Sequence, residues 1–137
     1  MIERGGGAIV NVSSVQGLAC RANVAAYAAS KGALNALTRA MALDHARDRI
    51  RVNAVCPGSV DTPMLRRSAE LFASAGTLEA TLADWVRAHP LGRIASAAEV
   101  AEVIAFPLSD RASFITGETV RGDGGLLAGV PVRLPDQ

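Results

Sequence analysis

The feature of this sequence that most constrains its fold is a long helical segment that lies between two short apolar runs. Residues 7–14, GAIVNVSS, and residues 49–58, RIRVNAVCPG, each have the pattern of a strand that is buried on both faces. The segment from Ala25 to about Asp48 is predicted to be a helix. Two strands joined by such a helix pair in parallel, with a right-handed crossover. The sequence therefore predicts an α/β fold.

The same alternation continues along the chain. We predict helices at residues 64–74, at residues 78–88 and from residue 97 onward, and then a third short strand at residues 118–121. Ser96 and Glu99 have the spacing of a capping box, and Pro107, late in that last helix, should kink or shorten it. Residues 1–137 are therefore expected to form a single domain, with a partial doubly wound (Rossmann-like) parallel sheet and flanking helices.

The long helix should bury one stripe of side chains. Leu34, Leu37 and Met41 recur at i, i+3 and i+7, so we expect them to face the sheet. Ligands of parallel sheets bind beyond the carboxyl ends of the strands. Ser14 lies just past the first predicted strand and Pro57 ends the second, so a site is expected where these two segments emerge.

Composition and charge argue against several classes of function. The formal net charge is +1 and the arginines are scattered, so no nucleic-acid surface is expected. Cys20 and Cys56 are too few for a disulfide framework, which favours a reducing, cytoplasmic compartment. Neither they nor His45 and His89 have metal-ligand spacing, so no metal is expected. We also expect neither a signal peptide nor a membrane span, because no apolar run approaches the ~20 residues that a span requires.

The candidate catalytic residues are the only tyrosine and the only lysine of the chain. Tyr27 and Lys31 lie four residues apart and so share one face of the predicted helix. An ammonium beside a phenol favours the phenolate, which helps the phenol to exchange a proton with an alcohol or a carbonyl. Lysine is also a compact charge with rotatable donors, unlike the thirteen arginines. Such a pair is commonly only a surface contact, but Ser14 adds a third polar group at the end of the preceding strand.

Five segments of the chain resemble, in order and spacing, consecutive segments of the short-chain dehydrogenase/reductase family. They are IVNVSSVQG, YAASKGAL, RVNAVCPGSVDTPM, PLGRIASAAEVAEVIAFPLSD and ITGETVRGDGG, and they cover nearly the whole chain. The resemblance implies an oxidoreductase that transfers a hydride between NAD or NADP and an alcohol or carbonyl substrate. It implies that Ser14 orients the substrate oxygen, that Tyr27 donates or accepts its proton, and that Lys31 favours ionisation of the phenol and holds the nicotinamide ribose.

The resemblance also implies that the loop after the second strand binds the nicotinamide side of the cofactor. Pro57 and Gly58 would shape this loop, and the backbone of Val60 would face the carboxamide. Thr62 would bond to the carboxamide or to a phosphate. With Tyr27 and Lys31, these residues form the expected cofactor site.

The segments that match are those of the family's C-terminal, catalytic half. No Gly-rich turn between a strand and a helix is found, since the glycines at 5–7 precede a strand. We therefore expect a truncated chain, in which the choice between NAD and NADP is not encoded. The resemblance implies that substrate contacts come from residues 64–91. This moderately apolar segment suits a small or medium alcohol or ketone, and it is also compatible with steroid, sugar and acyl-carrier thioester substrates. The resemblance also implies that the helix from Ala25 forms the interface of a homo-oligomer, either a dimer or a tetramer, and its Ala-rich composition would allow close packing.

Two other functions are compatible with parts of the sequence. One is a non-catalytic fragment of the same family, which keeps the fold and the interface but not the activity. The other is a hydrolase with Ser14 as its nucleophile. The hydrolase would need a histidine base, but neither His45 nor His89 has an evident acidic partner, and the Gly-x-Ser-x-Gly elbow is not found.

Overall fold

The computed structural model describes residues 1–73 and 77–129, and this part of the chain is built on a parallel sheet of three strands. The strands are β1 (Gly7–Val12), β2 (Ile50–Pro57) and β3 (Thr119–Gly122), with β2 in the centre. The helices of the described residues are α1 (Ala25–Asp44), α2 (Pro63–Phe72), α3 (Leu78–Ala88) and α4 (Ala97–Leu108). The predicted α/β fold with a parallel sheet and flanking helices is confirmed.

The central strand β2 is the most deeply buried element. It runs in register with β1 from the pair Gly7–Ile50 to the pair Val12–Val55, and it pairs with β3 on its other side. β2 is buried along almost its whole length, which suits its β-branched and small side chains. Because all three strands are parallel, the segments that follow β1 and β2 emerge at the same edge of the sheet.

The buried face of α1 differs from the predicted stripe. Leu37 is 49% exposed, and Leu34 and Met41 are only half-buried. The residues that α1 buries are Ala28, Asn35, Thr38 and Ala42. The prediction is therefore wrong for Leu37, which lies on the outer face of the helix.

Small and short polar side chains explain how α1 packs against the sheet and the turn after β1. Asn11 Nδ2, on β1, donates a hydrogen bond to Thr38 Oγ1 at 2.9 Å. Asn35 Nδ2 donates to the carbonyl oxygen of Gly17 at 3.2 Å. Short side chains let the two backbones come close, and each buried polar group has a partner, so no desolvation penalty is left uncompensated.

The end of α1 also differs from the prediction. The helix stops at Asp44 instead of continuing to about Asp48, and a short 3₁₀ helix, Ala46–Asp48, follows it. His45 Nδ1 lies 3.1 Å from a carboxylate oxygen of Asp48. Arg49 then adopts a left-handed conformation with φ of 57°, which a continuous α-helix does not allow.

Pro107 lies in the last turn of α4, which ends one residue later, as the predicted shortening requires. The carbonyl groups at a helix C-terminus have no partner within the helix. Here Arg51, on the central strand, donates from Nη1 to the carbonyl of Pro107 at 2.7 Å and from Nη2 to that of Ser109 at 2.9 Å. The guanidinium thus ties the end of α4 to the sheet.

Side chains cap the starts of α2 and α4, and the cap of α4 is the predicted one. Thr62 Oγ1 accepts a hydrogen bond from a backbone N–H of the first turn of α2, and Pro63 occupies the first helical position. The capping box of Ser96 and Glu99 is present at the start of α4. The bounds of α3 agree with the prediction, whereas the predicted end of α2, at Ser74, lies outside the described residues.

Candidate active site

The lysine of the candidate site lies at the carboxyl end of β1. Lys31 Nζ donates a hydrogen bond to the carbonyl oxygen of Val12, the last residue of that strand, at 3.0 Å. In return, Ser13 Oγ donates to the carbonyl of Lys31 at 3.0 Å, and the Ser13 N–H donates to Val55 on β2 at 2.8 Å. These bonds fix the ammonium at the edge of the sheet where a ligand of this fold binds.

Ser14 follows immediately and is 8% exposed. It caps a short 3₁₀ helix, Val15–Gly17, and its Oγ accepts a hydrogen bond from the N–H of Gln16 at 3.1 Å. A hydroxyl that accepts this bond still has its own proton to donate and a second lone pair. The geometry therefore leaves the Ser14 hydroxyl capable of binding a substrate oxygen.

Tyr27 lies one turn before Lys31 on α1, and it is 42% exposed. The Nζ atom of Lys31 is 5.6 Å from the centre of the phenol ring, within the range of a cation–π contact. Within the described part of the chain, no hydrogen bond directly joins the side chains of Ser14, Tyr27 and Lys31. The packing of the 3₁₀ helix on α1 brings the end of β1 close to this helix face.

The loop that leaves β2 is held by a short parallel bridge between Val60 and Ala95. Ala95 donates its N–H to the carbonyl of Ser59 at 2.9 Å and accepts from the N–H of Asp61 at 2.8 Å. The bridge therefore uses neither the N–H nor the carbonyl of Val60 itself, and both point away from Ala95. The Val60 carbonyl accepts from the Thr62 hydroxyl at 3.3 Å.

Gly58 is required where this loop begins. A Cβ atom there would lie 2.7 Å from His89 Nε2 and 3.1 Å from the Cα of Asp123. The Gly58 N–H also donates to the carbonyl of Gly122, at 3.1 Å, which holds the start of the loop against the end of β3. The loop thus passes through a space that only a residue without a side chain can occupy.

Arg21 belongs to the same region and was missed by the sequence analysis. Its guanidinium lies 3.9 Å from the centre of the Phe72 ring and 4.9 Å from that of Trp85. Arg21 also donates to Ser68 Oγ at 3.3 Å, and burial lowers the pKa of the guanidinium. The segment predicted to contact substrate is therefore fastened to the loop that follows Ser14. No local pattern in the sequence indicates this contact.

The hydrolase hypothesis gains no support from the structure. His45 does have an acidic neighbour, Asp48, but both lie beside the start of β2, at the opposite edge of the sheet from Ser14. His89 is 4% exposed, and its two ring nitrogens are occupied by backbone groups of Trp85 and Ser59. Neither histidine is placed to activate the serine.

Residues 1–73 and 77–129 contain neither a metal-binding cluster nor a membrane-spanning helix. No cluster of three or more His, Cys, Asp or Glu side chains suitable for a metal ion was found there. Among the same residues, no helix is both long enough and apolar enough to cross a membrane.

Comparison with known proteins shows the family to which this chain belongs. The family model described as enoyl-(acyl carrier protein) reductase matches residues 1–127. A probable short-chain type dehydrogenase/reductase of Bradyrhizobium diazoefficiens is 45% identical over 96% of this chain and 44% of its own length. The chain belongs to the short-chain dehydrogenase/reductase family. The family resemblance seen in the five sequence segments is therefore confirmed.

Solved structures of this family share the fold. Aldohexose dehydrogenase from Thermoplasma acidophilum, in ligand-free form, is 42% identical with a TM-score of 0.91, over 99% of this chain and 54% of that one. L-sorbose reductase from Gluconobacter frateurii, solved with NADPH and L-sorbose, is 30% identical with a TM-score of 0.85, over 95% of this chain and 51% of that one. The chain spans about half the length of the curated relatives it matches.

Proposed function

We propose that this chain supplies the catalytic half of an NAD(P)-dependent oxidoreductase that interconverts an alcohol and a carbonyl compound. The observation that carries the proposal is the position of Lys31. Its ammonium is bonded to the last carbonyl of β1, one helical turn from Tyr27 and close to the turn that Ser14 caps. A phenol, a positive charge and a hydroxyl near the edge of the sheet at which ligands of this fold bind support the proposal.

In this function Tyr27 holds and moves the proton at its phenol oxygen. The ammonium of Lys31 stabilises the phenolate that remains after donation, because an adjacent positive charge favours the ionised phenol. Ser14 donates its hydroxyl proton to the substrate oxygen and so orients it. A nicotinamide, when bound, supplies or accepts the hydride.

The residues present fit the nicotinamide half of the cofactor. An ammonium carries three donors, and the Val12 carbonyl uses one of them, so two remain for a pair of ribose hydroxyls. The loop shaped by Pro57 and Gly58 presents the N–H of Val60, which the bridge to Ala95 does not use. That N–H is a suitable donor for a carboxamide oxygen. Thr62 already serves as the cap of α2, so a ligand bond would use its second lone pair.

The outer face of α1 supports assembly into a homo-oligomer. Leu37 is 49% exposed and Leu43 is 80% exposed on this otherwise Ala-rich helix. Apolar side chains on a helix that can approach a second copy closely favour helix pairing. Substrate contacts are assigned to residues 64–73 and 77–91. This segment carries Phe72 and Trp85, which lie against Arg21 in the loop that follows Ser14. A small or medium alcohol or ketone suits this partly apolar lining.

The proposal is tested in a chimera, in which this chain replaces the corresponding half of cyclohexanol dehydrogenase from Acinetobacter sp. strain SE19. That relative is 41% identical over 124 residues, which are 90% of this chain and 45% of the relative. Oxidation of NADH and NADPH is followed with a panel of cyclic and linear ketones. Tyr27→Phe should lower kcat by roughly 10²–10⁴-fold, the usual contribution of a general acid, while the fold is kept.

Two results would contradict the proposal. If Tyr27→Phe keeps more than about a tenth of kcat, the activation free energy has risen by about 1.4 kcal/mol or less, and the phenol does not transfer the proton. If the chimera with native Tyr27 folds and binds cofactor but turns over no ketone, the alternative of a non-catalytic family fragment is correct.

A further inference from the structure

We infer that His89 is a positioning residue for the nicotinamide-side loop, which it holds by accepting a hydrogen bond from the backbone N–H of Ser59. The inference rests on the proposed function, because it concerns the loop assigned there to the cofactor. His89 lies at the C-terminal end of α3, thirty residues from Ser59. It touches no reacting group, so it would act through the loop.

The partners of His89 define its protonation. Its Nδ1 lies 2.7 Å from the carbonyl oxygen of Trp85, and a carbonyl can only accept, so Nδ1 carries the proton. The N–H of Ser59 lies 3.1 Å from Nε2 and can only donate, so Nε2 must be unprotonated. The ring is therefore a neutral imidazole with two opposite roles. It is 4% exposed, so water cannot readily replace either bond.

The bond to Ser59 matters because it completes the restraint of this residue. The carbonyl of Ser59 is fixed by the N–H of Ala95 at 2.9 Å, and His89 fixes its N–H. With both of its backbone groups held, Ser59 sets the direction of the next peptide unit, which carries the N–H of Val60. The close approach of the imidazole to Gly58 gives the same loop a second contact with this ring.

Two substitutions distinguish the hydrogen bond to Ser59 from the other contacts of the His89 side chain. A glutamine at this position reaches as far as Nε2 and can place its carbonyl oxygen there, so His89→Gln retains an acceptor for Ser59. An asparagine reaches only as far as Nδ1 and can place its amide N–H there, so His89→Asn retains the donor to Trp85 but loses the acceptor. Glutamine is also closer to histidine in size than asparagine is, so His89→Met serves as the control for packing: it has nearly the shape of glutamine but no comparable acceptor. A role limited to packing would make His89→Met equivalent to His89→Gln, whereas the inference requires it to behave like His89→Asn.

The first readout is amide hydrogen exchange of Ser59 in the 137-residue chain, which needs no cofactor. We expect His89→Asn to raise the exchange rate of this amide roughly five- to tenfold, as expected for loss of one hydrogen bond of about 1–1.4 kcal/mol. His89→Gln should stay within about twofold of the native rate. Equal rates in the two variants, or unchanged protection in His89→Asn, would overturn the inference.

The second readout is made in the chimera with cyclohexanol dehydrogenase. His89→Asn should raise KM and Kd for NADH or NADPH by the same roughly five- to tenfold, with little change in kcat, and His89→Gln should restore both constants. If the native chimera binds cofactor and His89→Asn and His89→Gln have equal KM and Kd, the inference about His89 fails while the proposed function stands. If the native chimera binds neither cofactor, the proposed function fails, and the role of His89 in it fails as well.

Discussion

Replacing Gly17 with alanine should destabilise the protein and displace the candidate catalytic lysine, whereas the same replacement at Gly32 should stabilise it. A Cβ atom on Gly17 would lie 2.8 Å from Asn35 Nδ2 and 2.8 Å from both the carbonyl carbon and the carbonyl oxygen of Lys31. A Cβ atom on Gly32 would meet nothing closer than the carbonyl oxygen of Gly17, at 3.9 Å. The two glycines thus lie on opposite sides of the contact between the 3₁₀ helix and α1, but only Gly32 has room for a methyl group.

The magnitude follows from these distances. Favourable contacts of a carbon atom begin near 3.5 Å, so the new methyl group at residue 17 is too close by roughly 0.7 Å. Two of its three neighbours are backbone atoms of α1 and cannot rotate away, so we expect an overpacking cost of about 1–3 kcal/mol. At residue 32, inside α1, replacing glycine with alanine should gain roughly 0.5–1 kcal/mol through lower chain entropy. The two variants should therefore differ by about 1.5–4 kcal/mol.

Urea unfolding of the 137-residue chain measures this difference, with the two variants serving as controls for each other. In the chimera, a shift of roughly 0.7 Å at Lys31 should lower kcat/KM about tenfold or more, because misplacement by 1 Å can cost about 10²-fold. The Gly32→Ala chimera should keep native kinetics. If Gly17→Ala is as stable as the native chain, or more stable than Gly32→Ala, the close packing of the 3₁₀ helix Val15–Gly17 on α1 is contradicted.

The remaining predictions concern charged side chains. Lys31→Arg in the chimera should raise KM for the cofactor, because a planar guanidinium cannot reproduce the ammonium contacts; an unchanged KM would refute this. Hydrogen bonds from Arg93 lower the pKa of Glu99 from 4.5 to about 2, so its stabilising effect is lost as pH falls through that range. Glu99→Gln should therefore lower the Tm at pH 7, and the difference should disappear towards pH 2; a difference that persists would contradict this. Arg21→Ala should destabilise by about 0.5–2 kcal/mol and red-shift the emission of Trp85, whereas native emission would show that no stacking occurs in solution.

The fold was largely predictable because its signals are local. The strands are runs of apolar residues, the starts of α2 and α4 are given by caps, and the predicted strand bounds agree with the structure within two residues. The inner face of α1 was not predictable from hydrophobic periodicity, since that rule assumes apolar side chains at the interface. Here the helix approaches through Asn35 and Thr38, whose partners lie on other elements, and Leu37 is left outside.

The candidate site divides in the same way. Tyr27 and Lys31 could be identified because one helical turn places them together, and Ser14 because it follows a strand. The residues that restrain the site could not be identified, since their partners are distant in sequence. Arg21 bonds to a serine 47 positions away, and His89 to an amide 30 positions away.

Together with hydrogen bonds between near neighbours in sequence, these long-range contacts form a continuous path from Ser14 to the loop that follows β2. The amide N–H of Gln16 donates to the hydroxyl of Ser14, and the side chain of Gln16 accepts from the N–H of Arg21. Arg21 stacks on Trp85, whose carbonyl bonds to His89, and His89 in turn bonds to Ser59 in the loop that follows β2. Every link from Arg21 to Ser59 passes through α3 or the residue that ends it. Because α3 lies in the segment assigned to substrate contacts, any displacement of this helix must strain or break contacts to both the loop that follows Ser14 and the loop that follows β2.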